Sequence, residues 1–127
     1  MANSQKNNLH TYISLFSCAG IGCFGFSEAG FKCIATNELI ARRLEIQKFN
    51  NKCERAEGYI QGDITLPETK QRIFDEIAWW QQNKHITDVD VVIATPPCQG
   101  MSIFNHKKNK EDLKRNSLVV ESLNLVM

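Results

Sequence analysis

Residues Asp90-Val-Val-Ile-Ala-Thr95 form a continuous apolar run closed by charge on one side and by Pro96-Pro97 on the other. A strand of that composition has no polar face to turn to water, so it must be covered on both sides. Parallel sheets flanked by helices meet that condition. The run therefore predicts an α/β architecture in which other strands and helices precede it.

Those elements are legible upstream. Thr11 to Phe16 is a short apolar run rich in strand formers, broken at the small-residue turn Ser17-Cys18-Ala19-Gly20-Ile21-Gly22. A helix is expected from about Gly22 to Ala29, ended by Gly30, and Phe31 to Asn37 reads as a second strand with Glu38 at its tip. Leu39 to Phe49 carries Leu39, Ala41, Leu44, Ile46 and Phe49 among basic residues and predicts a surface helix. Tyr59-Ile60 before Gly62-Asp63 predicts a short third strand. Thr65-Leu66-Pro67-Glu68 has the form of a capped helix start, leading into Ile73, Ile77 and Trp80 at helical spacing, with Trp79 and Trp80 as packing residues. Beyond a polar stretch, Asn105 to Lys114, the pattern at Leu118, Val119, Leu123 and Val126 is again helical. Four strands alternating with helices make an open α/β sheet. A strand as apolar as VVIA wants neighbours on both sides, so the sheet is expected to be the first four strands of a larger, incomplete one.

The chain has 127 residues, 43% hydrophobic and 23% charged, which suits one folded domain and excludes a disordered or low-complexity protein. We expect residues 1–10 to be a polar leader and 11–127 one domain. Fifteen Lys plus Arg against fourteen Asp plus Glu leave a net charge of +1, so any attraction for a polyanion must be local. Lys107, Lys108, Lys110, Lys114 and Arg115 are one such cluster, to be weighed against a solvated loop. Five cysteines, none in CxxC spacing, fit a reduced cytoplasmic chain with no metal site. Cys23, Cys33 and Cys53 are expected in the packing. No stretch approaches the length of a membrane span.

Three segments carry chemistry. Gly20-Ile-Gly22-Cys-Phe-Gly25 matches GxGxxG after a strand, and Glu38 is placed to accept from ribose hydroxyls, so an adenosine-containing ligand is implied, either NAD or S-adenosylmethionine. Gly62-Asp63-Ile64 offers a carboxylate for an adenine amino group and an apolar side chain for the ring; a plain Asp before a helix is the competing reading. Pro96-Pro97-Cys98-Gln99 sets a thiol on a stiff loop directly after the buried strand, a competent nucleophile if neighbouring charge lowers its pKa. Parallel strand tips share one carboxyl-end crevice, where such sheets bind ligands.

Together these residues resemble the DNA (cytosine-5) methyltransferases. Phe16-Ser17-Cys18-Ala19-Gly20, Glu38, Gly62-Asp63-Ile64 and Pro97-Cys98-Gln99 look like four family motifs in order and spacing, and Arg115-Asn116-Ser117-Leu118 looks like the next. The resemblance implies a Rossmann-like sheet that binds S-adenosyl-L-methionine, with Phe16, Ala19, Gly20, Ile21 and Gly22 around the methionine portion. It puts Glu38 on the ribose, Leu39 beside it, Asp63 and Ile64 on the adenine, and Pro97 and Leu118 along the pocket. Cys98 is the implied catalytic nucleophile; Gln99 and Ser102 face double-stranded DNA holding a flipped cytosine. Two positions depart from the pattern: Cys18 stands where the family usually has Gly, and Leu39 where some members carry an aromatic ring that meets the sulfonium. The family's Glu-Asn-Val motif and target-recognition region are not found in these residues, and neither Glu111 nor Glu121 is followed by Asn-Val. The chain is therefore expected to be a fragment, one subunit of a split enzyme completed by a second chain, or a non-catalytic relic. A NAD-binding oxidoreductase domain and a transfer-RNA methyltransferase are further alternatives; GlyMetSer after Gln99 looks more like the bacterial DNA-modifying branch.

Overall fold

The computed structural model describes residues 9–96 and, in the C-terminal stretch, Leu118, Val120, Glu121, Ser122, Asn124 and Leu125, all helical. Pro97, Cys98, Gln99, Ser102 and the basic cluster lie outside the described residues, as do Val119, Leu123 and Val126. In chain order the elements are β1 (Thr11–Leu15), α1 (Phe24–Glu28), β2 (Lys32–Glu38), α2 (Ala41–Phe49), β3 (Tyr59–Gln61), α3 (Pro67–Asn83) and β4 (Val91–Ala94). Short 3-10 turns at Ile21–Cys23 and Ala56–Gly58 precede α1 and β3.

The four strands form one parallel sheet in the order β3-β2-β1-β4. Parallel neighbours need crossovers, and the helices supply them. Residues alternate across each strand, so β1 feeds two cores at once. Ile13 and Leu15 join Ile34, Ile60, Ile64, Ile73 and Trp80 on the α3 side. Tyr12 joins Cys23, Cys33, Leu44, Cys53 and Tyr59 on the side of α1 and α2. All five residues of β1 are buried, as suits a strand paired on both sides. Cys23, Cys33 and Cys53 are packing residues as expected; Cys53 Sγ donates to Cys33 Sγ at 3.5 Å. That shared proton and burial push the Cys53 thiol up. Gly30 ends α1 in the left-handed conformation at φ 88°, as its position predicted.

Three expectations need correction. Val91 to Ala94 does touch both cores but is only half-buried, because β4 is an edge of the sheet among the described residues. Helix α2 starts at Ala41, and its inward residues are Leu44 and Gln47; Phe49 is 87% exposed and Ile46 44%. The apolar residues of that segment do not share one face, so composition misidentified the buried stripe. Helix α3 has Leu66 at its N-cap and no side-chain cap. The Thr65 hydroxyl donates instead to Asp63 Oδ1 at 2.7 Å, closing an Asx-type turn.

Helix α3 is locked by a buried acid. Glu76, 4% exposed, accepts from Arg55 Nε at 2.8 Å and from Trp80 Nε1 at 3.2 Å, while the Arg55 guanidinium lies 3.5 Å from the Trp79 ring centroid. The tryptophans thus pack as expected, one in the core and one under an arginine. Near the start of the helix, Lys70 pairs with Glu121, and Leu118 and Leu125 pack on the α3-side core. Removing Arg55 strands a buried carboxylate, so Arg55→Ala should cost about 3 kcal/mol in urea unfolding. Adding Glu76→Gln should restore part of that loss; an additive pair of losses would show that the two residues do not act together.

Candidate cofactor site at the carboxyl edge of the sheet

With β1 flanked by β2 on one side and β4 on the other, the connection direction reverses between β1 and β4. Such sheets bind ligands at the carboxyl ends beside that reversal. Because all four strands are parallel, the turn after β1, the Glu38 tip of β2, Gly62-Asp63 after β3 and Thr95-Pro96 after β4 stand along this one edge. The expected grouping of the first three strand tips is what the topology produces.

The turn after β1 has unusual backbone. Phe16, Cys18 and Gly20 have φ of 55°, 50° and 87°, all left-handed. Gly20 adopts that region freely, whereas Phe16 and Cys18 do so against the interests of their Cβ atoms. At Cys18 the turn requires a positive φ, which glycine would adopt without strain. Bonds from three directions hold it. Ser17 N–H and Oγ both donate to the Asn37 carbonyl, at 3.2 and 3.1 Å, and Gly20 N–H donates to the Ser17 carbonyl at 2.9 Å. Cys18 N–H donates to Glu38 Oε2 at 2.8 Å.

Glu38 is 5% exposed, and its Oε1 also accepts from Ile40 N–H at 3.4 Å and Arg43 Nη1 at 3.5 Å. A carboxylate has about four acceptor positions, so three bonds leave room for a ribose hydroxyl. A second hydroxyl would displace Arg43, whose bond is long and whose side chain is half exposed. Next to this acid in the chain Leu39 is 63% exposed; on the β1 turn Ile21 is 83% exposed, and nothing lies within 4 Å of where a Gly22 Cβ would stand. An acid for a diol, bare apolar surface and approachable backbone on one edge fit an adenosine-bearing group.

Other expected residues are placed differently. Phe16 is half-buried against the α3-side core, and Ala19 and Gly20 are likewise partly covered. Asp63 is partly buried, with Oδ1 taken by Thr65. Ile64 is 3% exposed and belongs to the core, so its side chain has little face to offer a ring. Leu118 packs on the same core. A cavity of about 370 Å³ between the Gly20 turn, α1 and the end of α2 is lined by Ala19, Gly20 and Ile21, and by none of Glu38, Leu39 or Asp63. That cavity therefore meets the β1 turn but not the Glu38 end of the carboxyl edge. Among the described residues no cluster of His, Cys, Asp and Glu could hold a metal ion, and no helix is long and apolar enough to cross a membrane.

Two features escaped the sequence reading. Thr95, the last residue before the prolines, donates its N–H to the Leu15 carbonyl at 3.4 Å and its Oγ1–H to the Phe16 carbonyl at 3.1 Å, tying the end of β4 to the β1 turn. Behind the turn stand Thr36 and Gln47, both buried. Their only sequence signal is polarity, Thr36 inside a buried strand and Gln47 three residues after Leu44 on α2. The strain at Cys18 is testable: Cys18→Gly should leave stability equal or raise it by up to about 1 kcal/mol, while β-branched Cys18→Val should lower it by about 1–2 kcal/mol in denaturant unfolding.

The comparisons with known proteins agree with this geometry. The family model for C-5 cytosine-specific DNA methylase matches residues 10–127. The type II methyltransferase M1.HgaI of Avibacterium volantium is 36% identical over 112 residues, covering 85% of this chain and 28% of that protein. A DNA-cytosine methyltransferase of Escherichia coli K12 is 36% identical over 104 residues, or 77% of this chain and 21% of the relative. The type II methyltransferase M.XorII of Xanthomonas oryzae pv. oryzae is 33% identical over 116 residues, or 91% and 24%. The chain thus spans roughly a quarter of the length of the curated relatives it matches. With a Rossmann-like parallel sheet, the motifs in order and a family model matching nearly its whole length, this chain belongs to the C-5 cytosine-specific DNA methylase family.

Proposed function

We propose that this chain is the cofactor-binding and nucleophile-bearing part of a cytoplasmic DNA (cytosine-5) methyltransferase, acting in bacterial DNA modification, with Cys98 as nucleophile. The observation that carries the reading is the bond from Thr95 to Phe16, which joins the segment leading into Pro97-Cys98 to the turn beside Glu38. A nucleophile and a methyl donor must meet on one base, and this contact joins the two loops that would bring them.

S-adenosyl-L-methionine, when bound, supplies an electrophilic methyl group on sulfur. The residues proposed to hold it are Phe16, Ala19, Gly20, Ile21 and Gly22 at the methionine end, with Glu38 and Leu39 at the ribose. Asp63 and Ile64 are proposed for the adenine, and Pro97 and Leu118 for the pocket wall. Within this set Glu38 accepts the ribose hydroxyls while still holding Cys18 N–H. The cytosine C5 is too weak a nucleophile to accept the methyl directly. The Cys98 thiolate adds to C6, forming the S–C6 bond and moving electron density to C5 and N3. Once C5 has bonded the methyl, with the S–CH3 pair left on sulfur as a neutral thioether, loss of the C5 proton to a base would expel the thiolate and restore the C5–C6 double bond. The cytosine must first leave the duplex, at a cost of a few kcal/mol in stacking and pairing. Gln99 and Ser102 are proposed to face that DNA, and a second chain or further sequence would supply the acid for N3 and the base-reading segment.

A NAD-binding domain shares the glycine pattern, but a dinucleotide fold uses its third glycine for close helix packing. Here a Cβ on Gly25 would meet nothing within 4 Å, and α1 has five residues. Calorimetric titration should show S-adenosylhomocysteine binding in preference to NAD, and Glu38→Gln should weaken it about tenfold by removing a charge-assisted acceptor. Preference for NAD would overturn the cofactor reading. For the nucleophile, DNA containing 5-fluorocytosine should be trapped covalently once S-adenosylmethionine and the uncovered region of a relative such as M1.HgaI are supplied. Adduct persisting in Cys98→Ser would remove Cys98 from that role.

A further inference from the structure

We infer that Gln47 is a positioning residue for the cofactor site, holding the β1 turn in its ligand-receiving shape from behind; the inference rests on the cofactor reading above. Gln47 lies in α2, is 1% exposed, and spends its whole amide on this task. Nε2 donates to Ser17 Oγ at 2.8 Å and to the Cys18 carbonyl. Oε1 accepts from Thr36 Oγ1 at 2.7 Å, and Thr36 in turn accepts from Lys52 Nζ at 3.3 Å. A carbonyl can only accept, so the Cys18 contact fixes which end of the amide faces the turn.

The contact matters because of what Cys18 is asked to do. It sits at φ 50°, between two other residues with positive φ, in a stretch outside the strand ladder. Its N–H is held by Glu38 and its carbonyl by Gln47, so the peptide units on either side of Cys18 are gripped. Glu38 is also the proposed ribose acceptor, and a ribose bound there competes for its lone pairs. The grip from Gln47 comes from α2 and does not draw on the lone pairs of Glu38. Its Cγ stands 3.2 Å from where a Gly20 Cβ would lie, so the same side chain also backs the turn's glycine. A buried polar side chain on a helix three residues after Leu44 therefore has a task at the site through the β1 turn it holds.

The test uses the full chain and S-adenosylhomocysteine. Gln47→Glu keeps size, polarity and the Thr36 bond but cannot donate to the Cys18 carbonyl; Gln47→Leu removes both kinds of bond. Both should weaken binding about tenfold or more. Amide hydrogen exchange at Ser17 to Gly20 should accelerate in both while the β1 and β2 ladders stay protected. Leu44→Ala, on the same helix, is the control for mere loss of packing: it should lower the unfolding midpoint and leave affinity unchanged. Wild-type affinity and wild-type exchange in a folded Gln47→Glu chain would overturn the inference, and this variant decides it even if Gln47→Leu does not fold. If the unsubstituted chain takes up no S-adenosylhomocysteine, the cofactor reading fails on its own. The exchange rates then judge the clamp: unchanged rates at Ser17 to Gly20 in Gln47→Glu overturn it.

Discussion

Three consecutive polar residues at the end of β2, Thr36, Asn37 and Glu38, are 0%, 2% and 5% exposed. Burial of such groups is tolerated only with hydrogen-bond partners, and each finds its partner in a different direction. Thr36 turns to Gln47 on α2. Asn37 sends its amide across to the Ile60 and Gly62 carbonyls of β3 and its tip at 3.0 and 3.1 Å, and its own carbonyl takes both Ser17 donors. Glu38 takes the Cys18 N–H and Arg43. One strand tip thereby sets the β1 turn, the start of α2 and the end of β3 in a single bonded unit.

The order β3-β2-β1 follows from that unit as much as from the backbone ladder. β3 is three residues long and could contribute little register by itself. The Asn37 amide extends the β2 to β3 connection past the last ladder pair, Glu38 with Gln61, so Gly62 and Asp63 follow directly beyond the Glu38 tip. On the other side Thr95 does the corresponding work, bonding to Leu15 and Phe16 where β4 leaves the sheet. A carboxyl edge made this way is stiff in its backbone and lightly covered by side chains, which suits recognition of a small polar ligand by preorganised groups.

The apolar cores serve the edge by holding the helices at fixed distance on both faces. Trp80 and Ile73 seat α3 against Ile13, Leu15, Ile34 and Ile60, and Leu44 seats α2 against Tyr12, Cys33, Cys53 and Tyr59. The large buried side chains sit below the site, while the large apolar residues proposed for it, such as Leu39 and Ile21, are exposed. The exception is Ile64, which the motif pattern assigns to a ligand and the structure gives to the core; being next to Asp63 in the chain, it anchors that carboxylate's turn.

Periodicity and turn chemistry were enough to read the strands, the glycine stop after α1, the buried thiols and the convergence of strand tips. These depend on neighbours in sequence: alternation dictates two faces, and a left-handed helix end wants glycine. The motif residues Gly20, Glu38 and Asp63 were legible for the same reason, since each stands at a strand tip. What only the tertiary structure decided is which polar groups meet. Gln47 reaches Ser17, Arg55 reaches Glu76 and Thr95 reaches Phe16 across long stretches of chain. Hydropathy gives each of those residues a place on the surface. Nothing local marks Gln47 or Glu76 as buried, because the free energy that buries a polar side chain comes from a partner the local sequence does not name. The left-handed Cys18 is of the same kind: its strain is visible only once Glu38 and Gln47 are seen holding both sides of it.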